Sequence, residues 1–260
     1  MAEIDIGFVT TSGMEWREAI DVAADLDLDF VELWMDGPTA HTKLADQTDD
    51  IAATAVDAGV ELLCHLPFPL DIGSPYDPVR TASIDVLKES IRIAAAAGAQ
   101  KGVVHPRSVA YSGAWTDDEI RDAVYKSIRE VHRYGTEVDL EVCPENLFES
   151  RFTIHSMPAL LSETPAKMTL DTGHARVAGM SDDELLGFVD EYASQISHIH
   201  LNETRHDADE HLPLGMGTMP FAQLLTQLRG VDWDGTVSME VMTGDTDYLE
   251  MSKQKLDALR

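Results

Sequence analysis

Six side chains able to bind metal, His65, His105, Glu145, Asp171, His200 and Glu240, recur along the chain at intervals of 40, 40, 26, 29 and 40 residues. Each closes a short apolar run, as in ELLCH and KGVVH. Ligand-type side chains at successive strand ends collect at one edge of a parallel sheet. Carboxylates gathered there repel one another unless they take up protons or share a cation. Glu145, Asp171, His200 and Glu240 make a mixed oxygen and nitrogen set suited to one shared divalent ion. Manganese, magnesium, cobalt and zinc all accept such a set. His65, His105, His174, Asp209 and His211 are additional candidates for metal or substrate. His174 follows in LDTGHA, and Asp209 and His211 lie in DADEHLPLGMG. One ion is the preferred expectation, and the additional residues would raise the number to as many as three.

These side chains need a scaffold that repeats. Strand-like runs cover 4–10, 29–34, 60–65, 101–105, 138–145, 167–171, 195–201 and 236–242. Helical patterns fill 15–25, 46–58, 78–97, 117–134, 182–192, 221–228 and 248–259. Thr116 with Glu119 and Ser181 with Glu184 have capping-box spacing. Gly59, Gly98 and Gly135 each follow a helical run, where a C′ glycine is expected. Alternation of strand and helix implies a parallel sheet. A Gly-x-Gly-x-x-Gly turn after the first strand is missing, which disfavours an open dinucleotide-binding sheet. We therefore expect one (β/α)₈ barrel over residues 1–260, a length near the roughly 250 residues such a barrel takes. Parity agrees: Ile199 and Leu201 alternate with His198 and His200, Val237 and Met239 with Ser238 and Glu240, and Met168 and Leu170 with Thr169 and Asp171. The apolar set faces outer helices and the polar set faces the barrel interior.

Composition narrows the class. The chain has 19 basic and 47 acidic residues, a net charge of −28, and 44% hydrophobic residues. That charge opposes binding to a polyanion. Sparse lysine and evenly spread acids also suit a protein kept soluble in a saline cytoplasm. No apolar run reaches the ~18 residues of a membrane span. Met1 to Thr10 lacks the basic start and long apolar stretch of a secretion signal, so a cytoplasmic location is expected. Cys64 and Cys143 lack C-x-x-C spacing and read as buried, reduced thiols.

The stretches VELW, HLPFPLDIGSP, GVVHPRS, PENL, LDTGHA, HLNET, DEHLPLGMG and SMEV run nearly from end to end. Together they resemble the xylose isomerase-like TIM barrels, which include sugar isomerases, sugar epimerases and type IV apurinic endonucleases. For an epimerase, the resemblance implies one metal on Glu145, Asp171, His200 and Glu240, with Glu145 and Glu240 as the acid/base pair. For an endonuclease, it implies three zinc ions on His65, His105, Glu145, Asp171, His174, His200, Asp209, His211 and Glu240. Glu32–Leu33–Trp34 resembles the isomerase side. The segment NLFES lacks the glycine-rich turn of the endonucleases. Few basic residues, Arg107, Arg151, Arg176 and Arg205, lie near the mouth, whereas duplex binding needs several phosphate contacts. The expected activity is metal-dependent isomerisation or epimerisation of a free or phosphorylated sugar. Glu32, Trp34, His174 and Arg205 are candidate substrate contacts, and Phe68 and Trp115 are candidate stacking partners. Abasic DNA is the substrate only under the endonuclease alternative. A homo-oligomer is compatible with the sequence.

Overall fold

Period-two alternation becomes eight parallel strands in the structure, a computed structural model describing residues 4–148, 150–205 and 208–259. They are β1 (Asp5–Val9), β2 (Phe30–Trp34), β3 (Glu61–His65), β4 (Ala99–Val104), β5 (Glu141–Pro144), β6 (Met168–Asp171), β7 (Ile196–Leu201) and β8 (Thr236–Met239). Their spatial order is β5-β4-β3-β2-β1-β8-β7-β6. Every strand is followed by a helix, in turn Trp16–Asp25, Thr48–Ala58, Asp77–Ala96, Asp117–Glu137, Met157–Glu163, Asp182–Tyr192, Phe221–Gly230 and Asp247–Asp257. This is the (β/α)₈ architecture. Glu149, in the NLFES segment, lies outside the described residues, as do Met1, Ala2 and Glu3.

The expected parity holds. Ile199, Leu201, Val237, Met239, Met168 and Leu170 join the apolar layer beneath the helices. His198, His200, Ser238, Glu240, Thr169 and Asp171 are buried on the other side of the strands. Both cysteines are buried and free, and burial first of all pushes their thiols far above the ordinary range. Both capping boxes form, at Thr116 and Ser181. Gly59 ends its helix in the left-handed region, with φ 71°. Among the described residues, no helix is long and apolar enough to cross a membrane.

Two strand boundaries differ from expectation by three residues. The fifth strand starts at Glu141, because the helix before it runs on to Glu137 and Asp139 takes φ 59°. Gly135 therefore lies inside that helix, and a Cβ there would meet the Leu140 carbonyl oxygen at 2.5 Å. β8 stops at Met239, and Met242 instead donates its N–H to the His211 carbonyl at 3.1 Å. The helix Met157–Glu163 was not legible, being only 7 residues long.

β5 and β6 meet only at an isolated bridge, Glu145 to Thr169. Asn146 completes the closure with its side chain. Its Oδ1 accepts the Asp171 N–H at 2.9 Å, and its Nδ2 donates to the Asp171 carbonyl at 2.9 Å. The amide thus acts as one rung of the missing ladder. Asn146→Ala leaves a buried donor and a buried acceptor unpaired, at about 1–3 kcal/mol each. We expect urea denaturation to show a loss of about 2–6 kcal/mol on that basis. A loss under about 0.5 kcal/mol, the range of a neutral surface change, would rule out this closing role.

Candidate metal centre at the barrel mouth

Glu145, at the end of β5, is the hub. Its Oε2 lies 2.9 Å from His105 Nε2 and 3.4 Å from His65 Nε2. Its Oε1 lies 3.3 Å from His200 Nδ1 and 3.4 Å from His174 Nδ1. Glu240 Oε2 stands 3.3 Å from His200 Nδ1 and 3.6 Å from His211 Nδ1. Asp209 Oδ2 reaches His211 Nε2 at 3.0 Å and His174 Nε2 at 3.5 Å. Among the described residues, four groups have ligand atoms close enough for one ion: Glu145–Asp171–His200–Glu240, His65–His105–Glu145, His174–Asp209–His211, and Glu32–His198–His200 beneath them. The nine side chains singled out in the sequence converge on one mouth.

Supporting bonds set which ring nitrogen faces inward. His65 Nδ1 meets the Leu66 carbonyl at 3.0 Å, and His174 Nδ1 meets the Asn146 carbonyl at 2.9 Å. A carbonyl only accepts, so each Nδ1 carries a proton, and Nε2 is the nitrogen that offers a lone pair once the ring is neutral. His200 is reversed. Its Nε2 donates to Glu32 at 3.1 Å, leaving Nδ1 toward Glu145 and Glu240. Glu32 also accepts from His198 Nε2 at 3.0 Å and Ser238 Oγ at 2.6 Å. Gly173 makes room for Asn202, whose amide donates 2.8 Å to Asp209 and 3.3 Å to Asp171; a Cβ at Gly173 would lie 2.4 Å from it.

Burial alone would raise the Glu145 carboxyl, but His200 and His105 hold it well below the usual range. Glu240 resists burial in the same way through His211 and His200 and sits at about 2. Asp171 goes the other way: burial, then the charges of Glu240 and Glu145, outweigh His174 and push it well above. Burial opposes charge on His200 too, yet Glu32, Glu240 and Glu145 raise it well above. His211 is pushed up to about 9, Glu240 and Asp209 outweighing its burial. Protons here do what a cation would do. Glu240 Oε2 is buried without a hydrogen-bond partner. An orphaned carboxylate oxygen among inward lone pairs fits a divalent ion.

A cavity of about 1010 Å³ opens above these groups. Trp34, Phe68, His174, Arg107 and Arg151 are in its wall; Glu32, Trp115 and Arg205 are not. Glu32 therefore does not meet the expectation of a substrate contact. It lies fully buried beneath the site and orients His200. Arg205 is corrected likewise, since Glu210 holds it on the exposed surface. Trp115 packs beside Tyr76 at 6.1 Å between ring centres. Asn146, Asn202 and His198 were missed as supporting groups. The HLN and PEN tripeptides, each pairing an asparagine with a ligand residue or its neighbour, were the available signal. Glu32→Gln keeps an acceptor for one imidazole but removes the charge facing two. We expect metal affinity to fall about 10–100-fold, the usual cost of losing a partner behind a ligand. Titration with a competing chelator measures it, and unchanged affinity would remove Glu32 from the site.

The backbone is similar to that of a solved D-tagatose 3-epimerase-like protein, with a TM-score of 0.84 over 98% of this chain and 97% of that one at 22% identity. That likeness concerns the fold. The family model for xylose isomerase-like TIM barrels matches residues 20–260, and the chain belongs to that family. A relative described as uncharacterised, from Methanocaldococcus jannaschii, is 27% identical over 189 residues, covering 70% of this chain and 64% of the relative. A probable endonuclease 4 of Mycobacterium bovis is 26% identical over 198 residues, covering 73% of this chain and 76% of that protein.

Proposed function

We propose that the chain is a metal-dependent sugar isomerase or epimerase that moves a proton with Glu145 and Glu240. The observation that carries this is the buried Glu145–Asp171–His200–Glu240 group at the floor of an open-mouthed cavity of small-molecule size. The four side chains would hold one divalent ion, manganese, magnesium, cobalt or zinc. Such an ion supplies stabilisation of the negative charge that develops on an enediolate oxygen. Glu240, with an unpartnered oxygen, takes the proton from the carbon beside the carbonyl. Glu145, on a strand across the mouth, passes to the other face in epimerisation a proton drawn from the protonated His174 beside it, 3.4 Å away. His174 holds a sugar oxygen, and Trp34 and Phe68, 5.8 Å apart, exclude water from one wall. The solved D-tagatose 3-epimerase-like neighbour supports the substrate class. The acidic surface supports a saline, cytoplasmic setting. Metal-loaded protein incubated with ketoses should yield a chromatographically separate isomer or epimer, and chelator should stop it. Failure across free and phosphorylated ketoses would count against the proposal.

A second reading is favoured by two further ligand groups beside the first, His174–Asp209–His211 and His65–His105–Glu145, the latter sharing Glu145 with it. Three ions there would suit phosphodiester hydrolysis at abasic sites, as the endonuclease 4 relative suggests. Against it, Arg176 and Arg205 are paired with Asp182 and Glu210 and give no track for a DNA backbone. Metal stoichiometry separates the two: one exchangeable ion supports the isomerase, three tightly held zinc ions the hydrolase.

A further inference from the structure

One wing of the cavity extends past the candidate metal ligands. The segments after β4 and β5 build it, with Arg107, Ser108, Tyr111, Asp117, Phe148 and Arg151 in its wall. Two guanidinium groups there are conspicuous in a chain with 19 basic and 47 acidic residues. Most arginines elsewhere are neutralised locally, as Arg80 by Asp77, Arg92 by Glu89, Arg121 by Asp118 and Arg133 by Glu137.

Arg151 is fixed on two sides. Its Nε donates to Asp117 at 2.8 Å, and its Nη1 donates to the Ala110 carbonyl at 3.2 Å. Its Nη2 is buried with no partner. A buried, charged N–H without an acceptor is costly, and in a cavity wall it marks where a ligand acceptor belongs. Arg107 is anchored through its backbone, its carbonyl accepting the Gly73 N–H at 3.0 Å. Among the described residues, its guanidinium has no carboxylate partner. Asp117 is committed to Arg151, so the wing keeps a net positive charge. Sugar hydroxyls alone do not require two guanidinium groups. A phosphate, with several acceptor oxygens and two charges, matches planar forked donors.

We propose that the substrate is a phosphorylated sugar whose phosphate is held in this wing by Arg107 and by Nη2 of Arg151. This rests on the sugar reading above and names its substrate class. The cavity, about 1010 Å³, is at the upper end for small-ligand sites, and its wall includes both the two arginines and Glu145 and Glu240. The reacting carbons lie at Glu145 and Glu240, with the charged end toward the β4 and β5 side.

The test is calorimetric titration of metal-loaded protein with D-fructose, D-fructose 6-phosphate and a hexuronate at fixed salt. Wild type should bind the phosphate ester at least about tenfold more tightly than the free ketose. Arg107→Ala should erase that preference, lowering affinity for the ester at least about tenfold more than affinity for the free ketose, while Arg107→Lys should restore part of it. Phosphate bound only by the metal would keep its preference in Arg107→Ala, and that result overturns the proposal. Equal affinity of wild type for ester and free ketose also overturns it. A hexuronate bound as tightly as the ester would overturn phosphate in favour of a carboxylate. Binding and turnover are read separately. Phosphate preference without isomerisation keeps the wing and rejects the reaction; isomerisation without preference does the reverse.

Discussion

Asp171→Ala should lose most bound metal, with affinity down at least about a hundredfold, and still fold. Losing a group behind a ligand already costs 10–100-fold, and Asp171 is a candidate ligand itself. Two opposing effects act on the metal-free protein. The Asp171 carboxylate caps the short helix Thr172–Val177 through the His174 N–H at 2.5 Å, worth about 1 kcal/mol. Its removal also relieves a buried carboxyl crowded by Glu240 and Glu145. These roughly cancel, and the main-chain bonds to Asn146 survive because they use only the Asp171 backbone. Metal-free wild type and variant should therefore differ by no more than about 1 kcal/mol in chemical denaturation. Metal should raise the melting temperature of wild type only. Equal metal content in both proteins would reject the assignment. In wild type, affinity should rise with pH through neutrality. His200 and Asp171, both candidate ligands of the ion, are shifted well above their usual ranges, so each must shed a proton before it can hold a metal.

Glu240→Gln should separate chemistry from binding. The amide keeps an oxygen near His200 and His211 but cannot take a proton. Loss of general-base help is worth on the order of 10²–10⁴-fold, and turnover should fall by that much while most metal stays. Glu145→Gln should behave differently. Glu145 faces four imidazoles, at 2.9, 3.3, 3.4 and 3.4 Å. Its charge holds the site together, so both metal and turnover should go. Steady-state rates beside elemental analysis check both variants. A Glu240→Gln enzyme within tenfold of wild type would remove Glu240 from proton transfer.

The barrel and the convergence of the candidate ligands on its mouth were legible for one reason. A buried parallel strand alternates faces strictly, so the polar residue after each apolar run had to point into the barrel. Where the sequence misled, the deciding contacts were remote or local beyond that period. Glu32 read as a mouth residue because it sits in a strand-end motif, but its partners His198 and His200 are 166 and 168 residues away. Arg205 read as a substrate contact, and only the turn that returns Glu210 beside it shows otherwise. Asn146 looked like a motif neighbour of Glu145, and its role as a ladder rung depends on the gap between β5 and β6. Gly135 read as a helix end, whereas the close approach of the Leu140 carbonyl explains it.

The central claim is that Glu240, beside a divalent ion, removes a proton from a sugar carbon next to a carbonyl. Incubation of a ketose and its phosphate ester in D₂O with metal-loaded protein at high salt tests it without knowledge of the product. Deuterium should appear on the carbon beside the carbonyl, depend on metal, and vanish in Glu240→Gln protein that retains its ion. No exchange on either substrate, with cleavage of an oligonucleotide carrying an abasic site, would contradict the claim and assign the centre to phosphodiester hydrolysis.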